Sequence, residues 1–284
     1  MHARLRFGWL LICSLLLAGP ASASERAPAL NFGLMPYLST RALLATYQPL
    51  AQALEQRLKQ PVQLVSAPDF DTFIRRVIDG DYDLVLLAPH YARLAAVDHD
   101  YVPLLVHKTP IRGIFVTARQ QPLNSPGDLR DQSIAIVDRS ALLAIVGAAS
   151  LADDGLREGR DYRFVETVSH SSALQNAISG KARAALVSWS TLALAASETQ
   201  QAAVIWRELA GIPGQYYIAH NRLTRERREA IRRALLDFAD SPEGRSFFEK
   251  TQHGGFREPS REDSALLDRL LPETRRQLGL PGKR

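Results

Sequence analysis

Cysteine is nearly absent: the 284 residues contain one, Cys13, and it stands inside an apolar run. A disulfide scaffold and a thiolate metal site are both excluded on that count. Glycine (17) and proline (16) are too few for a collagen-like or low-complexity chain, and 46% hydrophobic with 23% charged residues suffices for a packed core, so disorder is excluded as well. Charge of one sign is lacking too, with 35 Lys+Arg against 30 Asp+Glu and a formal +5. The densest basic run, Arg222 to Arg233, is interrupted by Glu226 and Glu229, which is the pattern of a solvated helix face. Arginines are not gathered with aromatics, and nucleic acid is not an expected partner.

What the chain does have begins at its N-terminus. Arg4 and Arg6 form a basic head, an apolar run follows from Phe7 to about Ala18, and Ala21-Ser22-Ala23 supplies small residues. That order is a secretory signal peptide over residues 1–23, with cleavage expected after Ala23. The run is shorter than the roughly 20 apolar residues of a membrane span. Ile12 before Cys13 does not suit lipid attachment, and cleavage removes the cysteine. A soluble exported protein is expected, without a metal or other cofactor.

Beyond the leader, Leu30–Met35 alternates as a strand, and Leu43, Tyr47, Leu50, Leu54 and Leu58 recur at helical spacing, with Pro49 expected either to sit in a first turn or to kink the helix. Strands are predicted at Val62–Val65 and Tyr82–Leu87, around a short helix at Asp71–Ile78 closed by Gly80. Further strands are expected at Val102–Val106 and Gly113–Ala118. After a break at Ser125-Pro126-Gly127-Asp128, a second alternating series follows: strand Ser133–Val137, helix Leu142–Asp153, strand Arg163–Thr167, helix Ala173–Ser179 and strand Ala184–Ser188. Strand Gln215–Ala219 and helices Thr224–Ala239 and Ser264–Leu271 complete the reading. Two β-α-β series imply two α/β lobes, with ligands expected beyond the carboxyl ends of the strands.

Leu30-Asn31-Phe32-Gly33, Ala67-Pro68-Asp69-Phe70, Tyr82-Asp83-Leu84-Val85, Ser125-Pro126-Gly127-Asp128-Leu129, Ser169-His170, Ala177-Ile178-Ser179-Gly180-Lys181-Ala182 and Ile212-Pro213-Gly214 stand here in order. Together they resemble the periplasmic solute-binding proteins of phosphate, phosphite and phosphonate uptake. The resemblance implies the type 2 periplasmic binding-protein fold: two lobes, each an open, mostly parallel sheet flanked by helices, with the ligand cleft between them. It implies a division into residues 24–115 (first lobe), 116–214 (second lobe) and 215–284 (hinge return, with C-terminal helices packed on the first lobe). It also implies a small anionic ligand, an inner-membrane ABC permease as partner, a periplasmic location and a monomer without catalysis. A periplasmic sensor protein is the alternative partner, and an enzyme on the same fold a more distant one.

The family's anion-binding turn runs Asp, two residues, then Ser-Thr-Ser-Gly. Here it reads Asp138-Arg139-Ser140-Ala141-Leu142, with Ser140 the one hydroxyl left. Acidic residues that some phosphonate binders use for a substrate amine are replaced by Ser190 and Gln215. Ser140 either caps the helix beginning near Ala141 or binds an anion there, with Arg139 adding charge. His170 precedes Ser172 and Gln175, which fit a capping box, and the resemblance places its imidazole in the cleft. Pro36 and Tyr37 follow the first strand, and His90 and Tyr91 follow the third, where Tyr91 either faces the cleft or packs in the core. Ser188, Trp189 and Ser190 end the last strand of the second series, with Trp189 stacking on a ligand or packing inward. Gln215 lies beside the hinge. Asp98-His99-Asp100 reads as a loop rather than a metal site, no nucleophile elbow occurs, and Ser140, His170 and Asp138 are the one combination worth testing for a catalytic relay.

Overall fold

The computed structural model describes residues 28–36 and 40–281; the leader and Tyr37 lie outside the described residues. The first strands and helices alternate as β1 (Leu30–Leu34), α1 (Thr40–Leu58), β2 (Val62–Val65), α2 (Phe70–Ile78), β3 (Leu84–Leu87) and α3 (Pro89–Asp98), followed by β4 (Tyr101–His107). The second series comprises β5 (Ile111–Ala118), β6 (Gln132–Ile136), α4 (Leu142–Asp153), β7 (Tyr162–Glu166), α5 (His170–Ile178), β8 (Ala184–Ser188), α6 (Trp189–Ala193), α7 (Ser197–Ala202) and β9 (Ala203–Ile212). The chain closes with β10 (Tyr216–His220), α8 (Arg225–Asp240), α9 (Pro242–Thr251), β11 (Phe256–Arg257) and α10 (Arg261–Gln277).

Two sheets result. The first has six strands in the order β11-β4-β10-β3-β1-β2, and the second has five, β7-β6-β8-β5-β9. In the first, β1 pairs parallel with β2 and β3, and β10 returns antiparallel between β3 and β4. In the second, β6 pairs parallel with β7 and β8, and β5 runs antiparallel between β8 and β9. Each sheet is therefore parallel on the side built by β-α-β crossovers and antiparallel where the chain enters or leaves.

The apolar run of β3 explains its central place. All four residues are buried, as expected for a strand covered on both faces. Leu84 and Leu86 pack with α1 residues Leu43, Tyr47, Leu50 and Leu54, while Val85 and Leu87 join the core that contains Phe73, Ile74 and Tyr91. The two-residue period of the strand thus divides one chain segment between two cores. Helix α1 continues through Pro49, which removes the hydrogen bond that residue would have donated to the turn before it; the buried stripe of Leu43, Tyr47, Leu50 and Leu54 runs on both sides of the gap.

All of β5 pairs in the second sheet, so the expected division after residue 115 falls inside a strand, and the chain passes between sheets over residues 108–110. It returns over Pro213–Gln215. These crossings touch: a Cβ on Gly214 would lie 2.6 Å from the His107 carbonyl and 2.7 Å from that of Thr109, so only glycine fits. His107 N–H also donates to the Gln215 carbonyl at 2.9 Å. Helix α10 is strapped to α3 by two bidentate pairs, Arg93–Asp268 at 2.7 and 3.0 Å and Arg275–Asp98 at 2.8 and 3.1 Å, and it also reaches α4. Asp98 therefore serves this strap. Among the described residues no helix is long and apolar enough to cross a membrane.

Candidate functional site

Parallel strands point their carboxyl ends to one edge of each sheet, and the helices that follow start there. In the second sheet the neighbours β7, β6 and β8 bring Thr167–His170, Asp138–Ala141 and Ser188–Trp189 to a common edge. In the first, β1 and β3 bring Met35, Pro36 and Ala88–Tyr91 to theirs. The β3–β10 register, Leu87 opposite Tyr216, sets Gln215 level with Ala88.

The two edges meet at one carbonyl. His90 Nε2 lies 3.2 Å from the Ser140 carbonyl oxygen, and the Tyr91 hydroxyl donates to the same oxygen at 3.0 Å. Both side chains are buried, and their rings lie against each other with centroids 3.9 Å apart. Burial pushes the His90 imidazole down to about 3, opposed by its bond to Ser140, so the ring is neutral at physiological pH. Burial pushes the Tyr91 phenol up to about 12, opposed by its own bond to Ser140. Tyr91 thus does both things allowed by its position: its ring packs in the core, and its hydroxyl bridges the seam. Apolar packing continues across, since Met35 and Tyr91 share one buried cluster with Leu142 and Leu143.

Ser140 does not cap α4. Its N–H and hydroxyl both go to Asp138 Oδ1, each at 2.6 Å, and the N-cap position is Ala141, which has no side-chain bond to give. The reason is local: Asp138 two residues upstream is a stronger acceptor for both groups than Ser140 is for the helix. The first turn of α4 therefore keeps N–H groups without a side-chain partner, beside the seam. Arg139 does not add charge there. Its guanidinium bonds Glu158 Oε1 at 2.9 Å and the Phe164 carbonyl at 2.7 Å, and it pairs with Glu166 at 3.3 Å. Two carboxylates from outside the turn have claimed the cation, and nothing local in the sequence signals them.

His170 opens α5, whose cap is Ser169, accepting from Ser172 N–H at 3.1 Å. Ser172 is thus the capped residue rather than the cap, and Gln175 bonds Thr199 at 3.2 Å instead of closing a box. His170 is half-buried, its Nδ1 has no partner, and burial lowers its pKa. Ser140 Oγ donates to Asp138 and not to a histidine, so Ser140, His170 and Asp138 are not wired as a relay.

Trp189 is 39% exposed, with the Arg112 guanidinium 4.5 Å from its ring centroid. Arg112 is itself held by Glu208 through bonds of 2.6 and 3.0 Å. Strand β9, which supplies Glu208, is not marked by the sequence pattern, and neither is this support for the indole. Ser188 shares its hydroxyl with Ser190 at 3.1 Å and Thr191 at 2.7 Å. Pro36 is half-buried, and Gln215 Oε1 is buried without a partner. Among the described residues no group of three His, Cys, Asp or Glu could hold a metal.

Comparison with known proteins bears on the family and the fold. Residues 32–264 match the family described as ABC transporter, phosphonate, periplasmic substrate-binding protein. No curated protein matches the sequence significantly. Among solved structures, the protein XAC2383 from Xanthomonas citri bound to chloride is 16% identical, with a TM-score of 0.76 over 88% of this chain and 98% of that one. A binding-protein component of an ABC phosphonate transporter from Pseudomonas aeruginosa is 15% identical, with a TM-score of 0.71 over 88% and 87%. PhnD1 from Prochlorococcus marinus in complex with methylphosphonate is 12% identical, with a TM-score of 0.71 over 88% and 98%. At these identities the likeness is one of fold.

Proposed function

Because the chain belongs to the family of periplasmic substrate-binding proteins of ABC phosphonate transporters, we propose that it captures a small oxyanion, of phosphorus or a related element, in the seam between its two sheets. It is exported, trimmed after Ala23, works as a monomer in the periplasm and hands its ligand to an inner-membrane ABC permease. The sheets act as two lobes that open and close about the crossings at residues 108–110 and 213–215. The single observation that carries the reading is the meeting of α3 and α4 at Ser140, where a helix N-terminus without a side-chain cap lies beside buried His90 and Tyr91. Such an end offers free N–H groups and a positive dipole to an anion. Ser140, His170, Ser188, Ser190, Trp189, Gln215 and Pro36 form the surrounding wall in this reading. The role is binding, with no catalytic residue. The relatives caught with chloride and with methylphosphonate lend support to a small anion.

One observation favours a second reading. The neutralisation of Arg139 by Glu158 and Glu166 removes a cation from the turn, which suits a changed ligand and a sensor protein as partner. A thermal-shift screen of residues 24–284 against phosphate, phosphite, methylphosphonate, sulfate, arsenate, nitrate and organic acids tests both. Ligand at about 100 times its dissociation constant stabilises by about 2.7 kcal/mol. A rise with a phosphorus oxyanion that Ser140→Ala and His170→Ala diminish supports uptake. A rise with organic acids alone overturns the oxyanion and directs the search to a sensor.

A further inference from the structure

Hydrogen-bond accounting at His90 reaches the ligand itself. Its Nε2 lies 3.2 Å from the Ser140 carbonyl oxygen, a group that only accepts, so Nε2 carries the proton. The ring is 1% exposed, and a second proton on Nδ1 would place a charged imidazolium in that burial with no acceptor beside it. Nδ1 therefore holds a lone pair. It is buried and meets no donor among the described residues. The ring spans the seam, with one nitrogen committed to the second sheet and the other unmatched. A second acceptor without a donor, Gln215 Oε1, lies just before β10, the strand next to β3, level with the start of α3.

From this we infer that the ligand donates a hydrogen bond to His90 Nδ1: the site selects an oxyanion that keeps a proton on one oxygen over one that is fully ionised. The inference rests on the solute-binding reading above and sharpens it. The two needs of the site are complementary. The free N–H groups at the start of α4 call for unprotonated oxygens, and the His90 lone pair calls for an O–H. A tetrahedral phosphorus or arsenic oxyanion near neutral pH supplies both. Sulfate and methanesulfonate have the same shape but no proton, and set an oxygen lone pair against that of Nδ1. Sites that must hydrogen-bond a ligand hydrogen reject the isostere lacking it far more strongly than apolar pockets reject a size change.

The test is titration calorimetry of residues 24–284 at pH 6 with two isosteric pairs, methylphosphonate against methanesulfonate and phosphate against sulfate. The expected result is a preference of at least about 100-fold for the phosphorus member of each pair. In His90→Leu, which removes the acceptor, the ratio falls towards one, while in His90→Gln, whose amide can both donate to Ser140 and accept from the ligand, part of it survives. Should His90→Leu fail to fold, the native protein gives the same answer by pH: methylphosphonate affinity falls between pH 6 and pH 9 as that ligand loses its last proton. Equal binding of methanesulfonate, or a preference unchanged in His90→Leu, overturns the inference and leaves the solute-binding role standing. No binding of any of the four overturns the oxyanion reading and the inference with it.

Discussion

Helices α4 and α5 start from adjacent strands of one sheet, at the same edge, yet their first turns are built in opposite ways. The α5 turn is self-contained: Ser169 accepts from Ser172 N–H, and its hydroxyl lies 3.0 Å from that of Ser172. The α4 turn is open: Ala141 has no cap to offer, and Ser140 is folded back onto Asp138. A helix that satisfies its own N-terminus is finished as a structural element. One that does not leaves N–H donors open to an acceptor from outside, and here His90 and Tyr91 of α3 donate to the Ser140 carbonyl beside them without meeting those N–H groups. The difference is the reason why α4, rather than α5, is the anion contact in the proposed function.

The largest effect that separates the two ends should come from acid. Burial lowers the pKa of both His90 and His170, to about 3 for His90. A histidine whose folded pKa lies below its unfolded value near 6.5 contributes stability that is complete above pH 6.5 and is lost as pH falls from there towards the folded value, because the unfolded state binds more protons in that window. For His90 the full loss approaches about 5 kcal/mol by pH 3. Opening the seam rehydrates the ring without unfolding either sheet, so the lobes should part before they melt. Small-angle scattering from pH 7 to pH 4 should show the radius of gyration rising while far-ultraviolet circular dichroism holds. A constant radius until secondary structure is lost would show that His90 does not govern the seam.

A cap installed by mutation should make α4 resemble α5. Ala141→Asp puts an acceptor at the N-cap, worth about 1 kcal/mol to the helix, and a negative charge where the anion is expected. Oxyanion affinity should fall by at least about tenfold, with the melting temperature of the free protein unchanged or raised. Ala141→Ser separates the contributions, since it caps without charge. If both variants bind as the native protein does, the start of α4 is not the anion's contact.

This contrast was only half legible in the sequence. Helix α4 and strand β8 stand where their residues predict them, because an apolar block bounded by a polar turn and a glycine leaves little choice. Which residue caps a helix is a contest among neighbouring acceptors, however, and Asp138 takes Ser140 away from α4 as Ser169 takes Ser172 from Gln175. The fate of Arg139 was hidden for another reason: Glu158 and Glu166 come from elements 19 and 27 residues downstream, and only the packed sheet brings them near. Strand β9 lacks the alternation that marks a half-buried strand. Its Trp206-Arg207-Glu208 stretch is polar at its middle, and each of those side chains finds a partner across the sheet or at α4, such as the Arg207 bond to Ser150 Oγ at 3.1 Å and its pair with Asp154, just past the helix end, at 2.6 Å. The residues that proved to meet, His90, Tyr91 and Ser140, could be named from their places after strands. Their meeting at one carbonyl oxygen could not.

The smallest effect belongs to the finished end. Ser169→Ala removes the α5 cap and leaves Ser172 N–H for water, at a cost of about 1 kcal/mol. That lowers the melting temperature of a protein of this size by roughly 2–4 °C. Anion affinity should change by less than about twofold, because the lost bond is internal to the turn and His170 keeps its place at the first helical position. Differential scanning calorimetry with and without methylphosphonate reads both quantities on one sample. A large loss of affinity at Ser169 would mean that α5 presents its N-terminus to the ligand as α4 does, and that the distinction between a closed and an open helix start is not what locates the site.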